Sequence, residues 1–259
     1  MLKLIIAEFR KLKRKKLFQL AFLTTFIMPL FYTLLIKDID LDSIMSTVQE
    51  ENGFLLLIPF SVVIAANLFF EEQDHDTLKN LLCIPVSKGR LAAAKLFVVL
   101  FFDLAYELAE YGFSILLALF LDIPLLRLGE QLFITCCCGV LLWAAAMPCL
   151  LLVIWCNRSY IISVIIAFAY TILGYILHVS DAVLRVPLGP NIATFLPVPI
   201  IFRWRYQFHS IENAGPIMTE FFEGFRPYFV STPAVFAILT AEAALCMALM
   251  IKVYEKQGV

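Results

Sequence analysis

The chain alternates long apolar runs with short charged ones, and the runs are longer than the core of a soluble domain needs. Six stand out, at 17–36, 54–70, 91–121, 132–156, 160–177 and 233–251. At about 1.5 Å of rise per residue, some 20 apolar residues cross the roughly 30 Å of hydrocarbon in a bilayer. Most of the runs are close to that length. The second and fifth are short, and the third is long enough to tilt or to extend past the bilayer. The pattern predicts an all-α protein, a polytopic membrane bundle of six transmembrane helices that forms one domain over 1–259. Ahead of the first run, Ile5, Phe9 and Leu12 fall at i, i+4 and i+7, with basic residues on the other faces. That spacing predicts a short helix within 1–16 lying on the membrane surface, or else a plain basic flank.

Composition agrees with lipid as the solvent. Hydrophobic residues make up 62% of the chain and charged ones 16%, against about 45–50% apolar in a soluble domain. Such a chain cannot cover a globule with polar surface. The net charge of −1 gives no reason to expect a nucleic-acid partner. Residues 17–36 carry no charge, exceed the apolar stretch of a secretory signal, and are followed by no small-x-small cleavage site, so they read as a retained first span.

The distribution of Lys and Arg sets the expected orientation. With the N-terminus inside, Lys3, Arg10, Lys11, Lys13, Arg14, Lys15, Lys16, Lys79, Lys88, Arg90, Lys95, Arg158, Lys252 and Lys256 fall on the inner side, fourteen of twenty basic residues. Lys37, Arg127, Arg185, Arg203, Arg205 and Arg226 remain outside. Both termini are therefore expected in the cytoplasm and the chain in the cell membrane. The first outer loop is then acidic, with Asp38, Asp40, Asp42, Glu50 and Glu51. The last, 178–232, is the longest and is rich in Pro and aromatic residues. It is too apolar for disorder, and 192–202 is expected to dip back into the membrane as a broken, re-entrant helix.

Four carboxylates fall inside apolar runs. Asp103, Glu107 and Glu110 lie at i, i+4 and i+7, within about 60° of one helix face, and Glu242 lies in the last run. An acidic residue facing lipid at mid-bilayer costs roughly 2.5–3.5 kcal/mol, so this face is expected to look inward. No basic residue occupies the middle of a run to pair with it. Three readings stay open: the acids are protonated, they meet a cation from another subunit, or they meet a cationic substrate. Arg203 and Arg205 flank Trp204, as an interfacial anchor or as a contact for a lipid phosphate or pyrophosphate near the outer surface. The seven cysteines, Cys83, Cys136, Cys137, Cys138, Cys149, Cys156 and Cys246, show no CxxC pair with ligand spacing. They read as small packing residues, with a metal site on the Cys136–Cys138 run as the alternative.

The inner loop at 71–90 is the most informative segment. Glu71 and Glu72 close the second run. Asp76 or Thr77 is placed to cap a short helix whose apolar edge is Leu78, Leu81 and Leu82, and Pro85 stops it. A short amphipathic helix on an inner loop is a natural knob for a partner's groove. Here the chain resembles the type-2 permeases of ABC transporters, whose pattern is an acidic residue ending span two, then Thr-Leu-Lys-x-Leu-Leu-x-x-Pro-Val-Ser and a basic residue, with a Lys a few positions on. Glu71 or Glu72, Thr77, Leu78, Lys79, Leu81, Leu82, Pro85, Val86, Ser87, Lys88 and Lys95 carry it. The match looks closest to the branch that exports bacitracin or confers lantibiotic immunity. Many members have Gly before the Thr, where this chain has Asp76.

The resemblance implies that the 71–90 loop is a coupling helix seated in a separate ATP-binding-cassette ATPase, and that the N-terminal helix is the family's elbow helix. It also implies two permease chains, the same or related, per transporter. ATP and magnesium would be held by the ATPase. This chain has no Gly-x-x-x-x-Gly-Lys-Ser/Thr loop, and no cofactor or metal is expected on it. Three rivals compete. A proton-coupled secondary carrier would use the buried carboxylates, but it predicts more spans or an internal repeat. A Glu-Glu-x-x-x-Arg intramembrane protease starts at Glu71-Glu72, but it has Asp76 where Arg is required, and His75, His178 and His209 are expected in loops. A non-transporting immunity protein would simply bind a toxin.

Overall fold

The computed structural model describes residues 2–35, 40–74, 87–156, 159–180, 185, 192–209 and 216–256. Among the described residues every regular element is a helix. A short helix α1 (Leu2–Lys13) precedes α2 (Lys16–Leu35). Then α3 (Leu41–Val48) runs without a break through a π-helical stretch (Gln49–Leu57) into α4 (Ile58–Asp74). The long helices α5 (Lys88–Phe120), α6 (Leu128–Cys156) and α7 (Tyr160–Val179) follow. Two short helices, α8 (Pro197–Arg205) and α9 (Pro216–Phe225), lead into α10 (Thr232–Lys256).

Among the described residues, five helical segments are long and apolar enough to cross a membrane: Lys16–Leu35, Leu41–Phe70, Leu128–Cys156, Tyr160–His178 and Thr232–Tyr254. The sixth expected span, α5, is longer still but carries Lys95 and the three carboxylates. The run expected over 54–70 is only the second half of a helix that begins at Leu41, which corrects the acidic first outer loop. Asp42, Glu50 and Glu51 lie inside helical structure because each finds a partner there. Asp42 accepts from Arg127 Nη1 at 3.1 Å, Glu51 accepts from Tyr175 OH at 3.0 Å, and Glu50 lies 3.6 Å from Arg205 Nη1. Asp40 caps α3 by accepting from the Ser43 amide at 2.8 Å.

Helix α6 is the hub and packs on α4, α5, α7 and α10. In the apolar stretches of Leu41–Phe70 and α6, 78% of residues are buried, against 17% in α2 and α7, which stand at the periphery. Small residues let α6 approach its neighbours. A Cβ on Gly139 would lie 3.2 Å from Leu104 Cα, so α5 and α6 meet almost backbone to backbone. Cys138, Ala144 and Ala145 are buried nearby, and Cys136, Cys137 and Cys138 are unbridged packing residues there. Polar ends of aromatic side chains tie the helices together: Trp143 Nε1 donates to the Leu96 carbonyl at 3.1 Å, and Tyr170 OH to the Ala145 carbonyl at 2.8 Å. Gly174 gives α8 its seat on α7, where a Cβ would come within 2.8 Å of Val198.

Call the end that holds α1 and the neighbouring termini of α4 and α5 proximal, and the opposite end distal. At the proximal end, Leu12 is buried, and Ile5 and Phe9 pack against the core. The same helix also turns an acid inward. Glu8 is 2% exposed and accepts from Lys95 Nζ at 3.1 Å and from Lys11 Nζ at 2.6 Å.

Candidate functional site

The sequence-predicted site residues divide into three groups. Of the coupling loop, Thr77, Leu78, Lys79, Leu81, Leu82 and Pro85 lie outside the described residues. Glu71 and Glu72 close α4 in its backbone, but their side chains also lie outside. What is described is the frame on either side. Lys95 Nζ, 1% exposed, donates to the Leu68 carbonyl near the end of α4 at 2.6 Å as well as to Glu8. It thus joins α1, α4 and α5 at the neck of the loop. Ser87 caps α5, its Oγ accepting from the Arg90 amide at 3.4 Å.

The second group is the acidic face. Asp103, Glu107 and Glu110 are buried, each against a different neighbour. Ser61 Oγ of α4 lies 2.5 Å from Asp103 Oδ1. Asn52 of the π-helical stretch donates its Nδ2 to Glu110 Oε1. Glu107 lies between them, its Oε1 only 3.1 Å from where a Gly53 Cβ would be. The tighter winding of an ordinary α-helix is relaxed over Gln49–Leu57, and Asn52, Gly53 and Phe54 are all buried there. A π-helical insertion of this kind often marks a functional site. Glu242, by contrast, is half-buried on α10 near Tyr170 and Cys246 and is not part of this face.

The third group corrects the expectation of an outer phosphate contact or a snorkelling anchor. Arg203, Trp204 and Arg205 are 0%, 0% and 4% exposed, so neither guanidinium reaches outward. Arg205 points into the bundle from α8. Its Nη2 donates to Gln49 Oε1 at 2.7 Å and to the Met45 carbonyl at 3.4 Å, and its charge faces Glu107. The sequence offered no mid-span cation because this one arrives from a separate short helix. Trp204 Nε1 donates to Thr232 Oγ1 at 3.0 Å, fastening α8 to the start of α10.

Sequence reasoning missed the residues that join these parts. Gln49 Nε2 donates to Thr135 Oγ1 at 2.8 Å, and Gln131 Nε2 to Asp42 Oδ1 at 2.7 Å. A narrow cleft at the distal end, lined by Asp42, Ser46, Gln131, Arg205 and His209, opens beside them. His178, expected in a loop, is in α7, stacked on Phe202 at 3.7 Å between ring centroids. Among the described residues, no three His, Cys, Asp or Glu side chains converge as a metal site. The arrangement is a polar seam inside an apolar bundle, running along α5 from Asp103 to the distal cleft. It can hold charge or protons within the bundle.

A family model described as ABC-2 family transporter protein matches residues 4–174, from α1 well into α7. No curated protein matches the chain.

Proposed function

Because the chain belongs to the ABC-2 family of transporter proteins, we propose that it is the membrane-spanning subunit of an ATP-driven exporter whose ATPase is a separate chain. A member of this family is a multi-pass membrane transport component and not itself a catalyst. The observation that carries the reading is the extent of the match, which includes the 71–90 loop.

In this reading α5 is the sixth span. Its 33 residues reach about 50 Å, and it packs on α2, α4, α6 and α10. Its acids are tolerable in lipid because they face protein. Helix α1 is the interfacial elbow helix, α8 belongs to a re-entrant outer segment, and both termini are cytoplasmic in the cell membrane. Glu71, Glu72, Thr77, Leu78, Lys79, Leu81, Leu82 and Pro85 engage the ATPase, which holds ATP and magnesium. A second permease completes the transporter. The cargo is an antimicrobial peptide of the bacitracin or lantibiotic type or a lipid-linked molecule.

Purification from mild detergent should bring down an ATP-binding-cassette subunit. Leu81→Asp should abolish that capture and the attendant export while leaving insertion intact, because an ionised carboxylate has no place in an apolar groove. Full export by Leu81→Asp, or by the purified chain without nucleotide, would overturn the assignment.

A further inference from the structure

The acids of α5 outnumber the cations that can neutralise them. Asp103, Glu107 and Glu110 are 0%, 1% and 1% exposed. Facing Glu107 are Arg205 from α8 and Cys138 from α6, with Glu50 beyond them on the π-helical stretch. From α5 itself Asp103, Tyr106 and Glu110 adjoin it. Arg205 is the one cation in this set, and it is shared with Glu50 and Gln49. Lys95 is eight residues from Asp103 along α5, about 12 Å, and is engaged by Glu8 and the Leu68 carbonyl.

Two further observations say what makes up the deficit. Ser61 has a single hydroxyl proton, yet its Oγ lies 2.8 Å from the Leu57 carbonyl oxygen and 2.5 Å from Asp103 Oδ1. Both contacts are hydrogen bonds only if Asp103 brings a proton of its own. Around Glu107, buried polar atoms lack partners: both of its oxygens, Asn52 Oδ1 and Arg205 Nε. Asn52 is 0% exposed, and its amide is held against Glu110. Gly53 packs closely against the acid: a methyl there would lie 3.1 Å from Glu107 Oε1 and 3.0 Å from Leu142 Cδ1. A neutral carboxyl without a partner costs far less to bury than a carboxylate without one.

We propose that the acidic face of α5 is a buried proton-binding site, with Asp103 and Glu107 each holding one proton while Glu50 carries the charge that balances Arg205. The site goes beyond the exporter reading and stands without it.

Infrared spectroscopy of the full chain in lipid nanodiscs at neutral pH tests this through the carbonyl stretch of protonated carboxyls. D103N should remove one component and E107Q another. Both amides mimic a neutral acid, so D103N and E107Q should melt with the wild type. Arg205→Met provides a reading that does not depend on those variants folding, and it should leave the two components in place. The proposal is overturned if either loss is missing, or if Arg205→Met lacks either component, since removing a cation can only favour protonation of the acids it faces.

Discussion

Lys95 shows how far a residue's role depends on what folds against it. In the sequence it is one more basic residue marking the inner side of a span. In the fold it is almost wholly enclosed, bonded to Glu8 and to the Leu68 carbonyl, with its ammonium 5.9 Å from the centre of the Phe69 ring. Glu8 has no sequence signal beyond being the lone acid of a basic helix, so the pair was not legible. Removing one member of a buried ion pair typically costs about 3–5 kcal/mol. Lys11 still contacts Glu8 at 2.6 Å, so Lys95→Met should fall at the lower end of that range. The double variant Glu8→Leu/Lys95→Met should recover much of the loss. Thermal unfolding of the three variants in one detergent measures the coupling, and additive losses would show that the two side chains act separately.

At the scale of elements, the apolar periodicity located every long helix among the described residues, and most of their boundaries agree to within a few residues. It failed at 41–53, where Asp42, Glu50 and Glu51 resemble a loop. Their partners Arg127, Tyr175 and Arg205 come from distant parts of the chain, and no local pattern shows them. Helix packing was illegible for a similar reason, because a glycine in an apolar run does not declare what it touches. Gly139 and Gly112 make the contrast. Gly139 abuts the backbone of Leu104, while a Cβ on Gly112 would meet nothing within 4 Å. Gly139→Ala should therefore destabilise by about 1–3 kcal/mol through overpacking. Gly112→Ala should stabilise by up to about 1 kcal/mol through helix propensity. Melting temperatures that move in opposite directions are the expected result.

For the whole molecule, the charge pattern along the chain carries an orientation that the fold accommodates. Basic α1 lies at the same end as the neighbouring termini of α4 and α5, and Asp122 and Arg127 lie at the other. A membrane-impermeant thiol reagent should label a cysteine placed at Asp122 in intact cells, in a cysteine-free background. One placed at Lys13 should react only after lysis, and the reverse pattern would invert the topology. The acidic face was legible as a set of residues, but its wiring was not, since Arg205 and the π-helical stretch reach it through tertiary packing alone. The peripheral position of α2 and α7 has a consequence for variation. Phe26, Leu30, Ile161, Ile165 and Ile176 are largely exposed on these two helices, so swapping one bulky aliphatic or aromatic side chain for another there disturbs little internal fit. A saturation-mutagenesis survey should find these flanks permissive to any greasy replacement, and the seam beneath them intolerant of nearly everything.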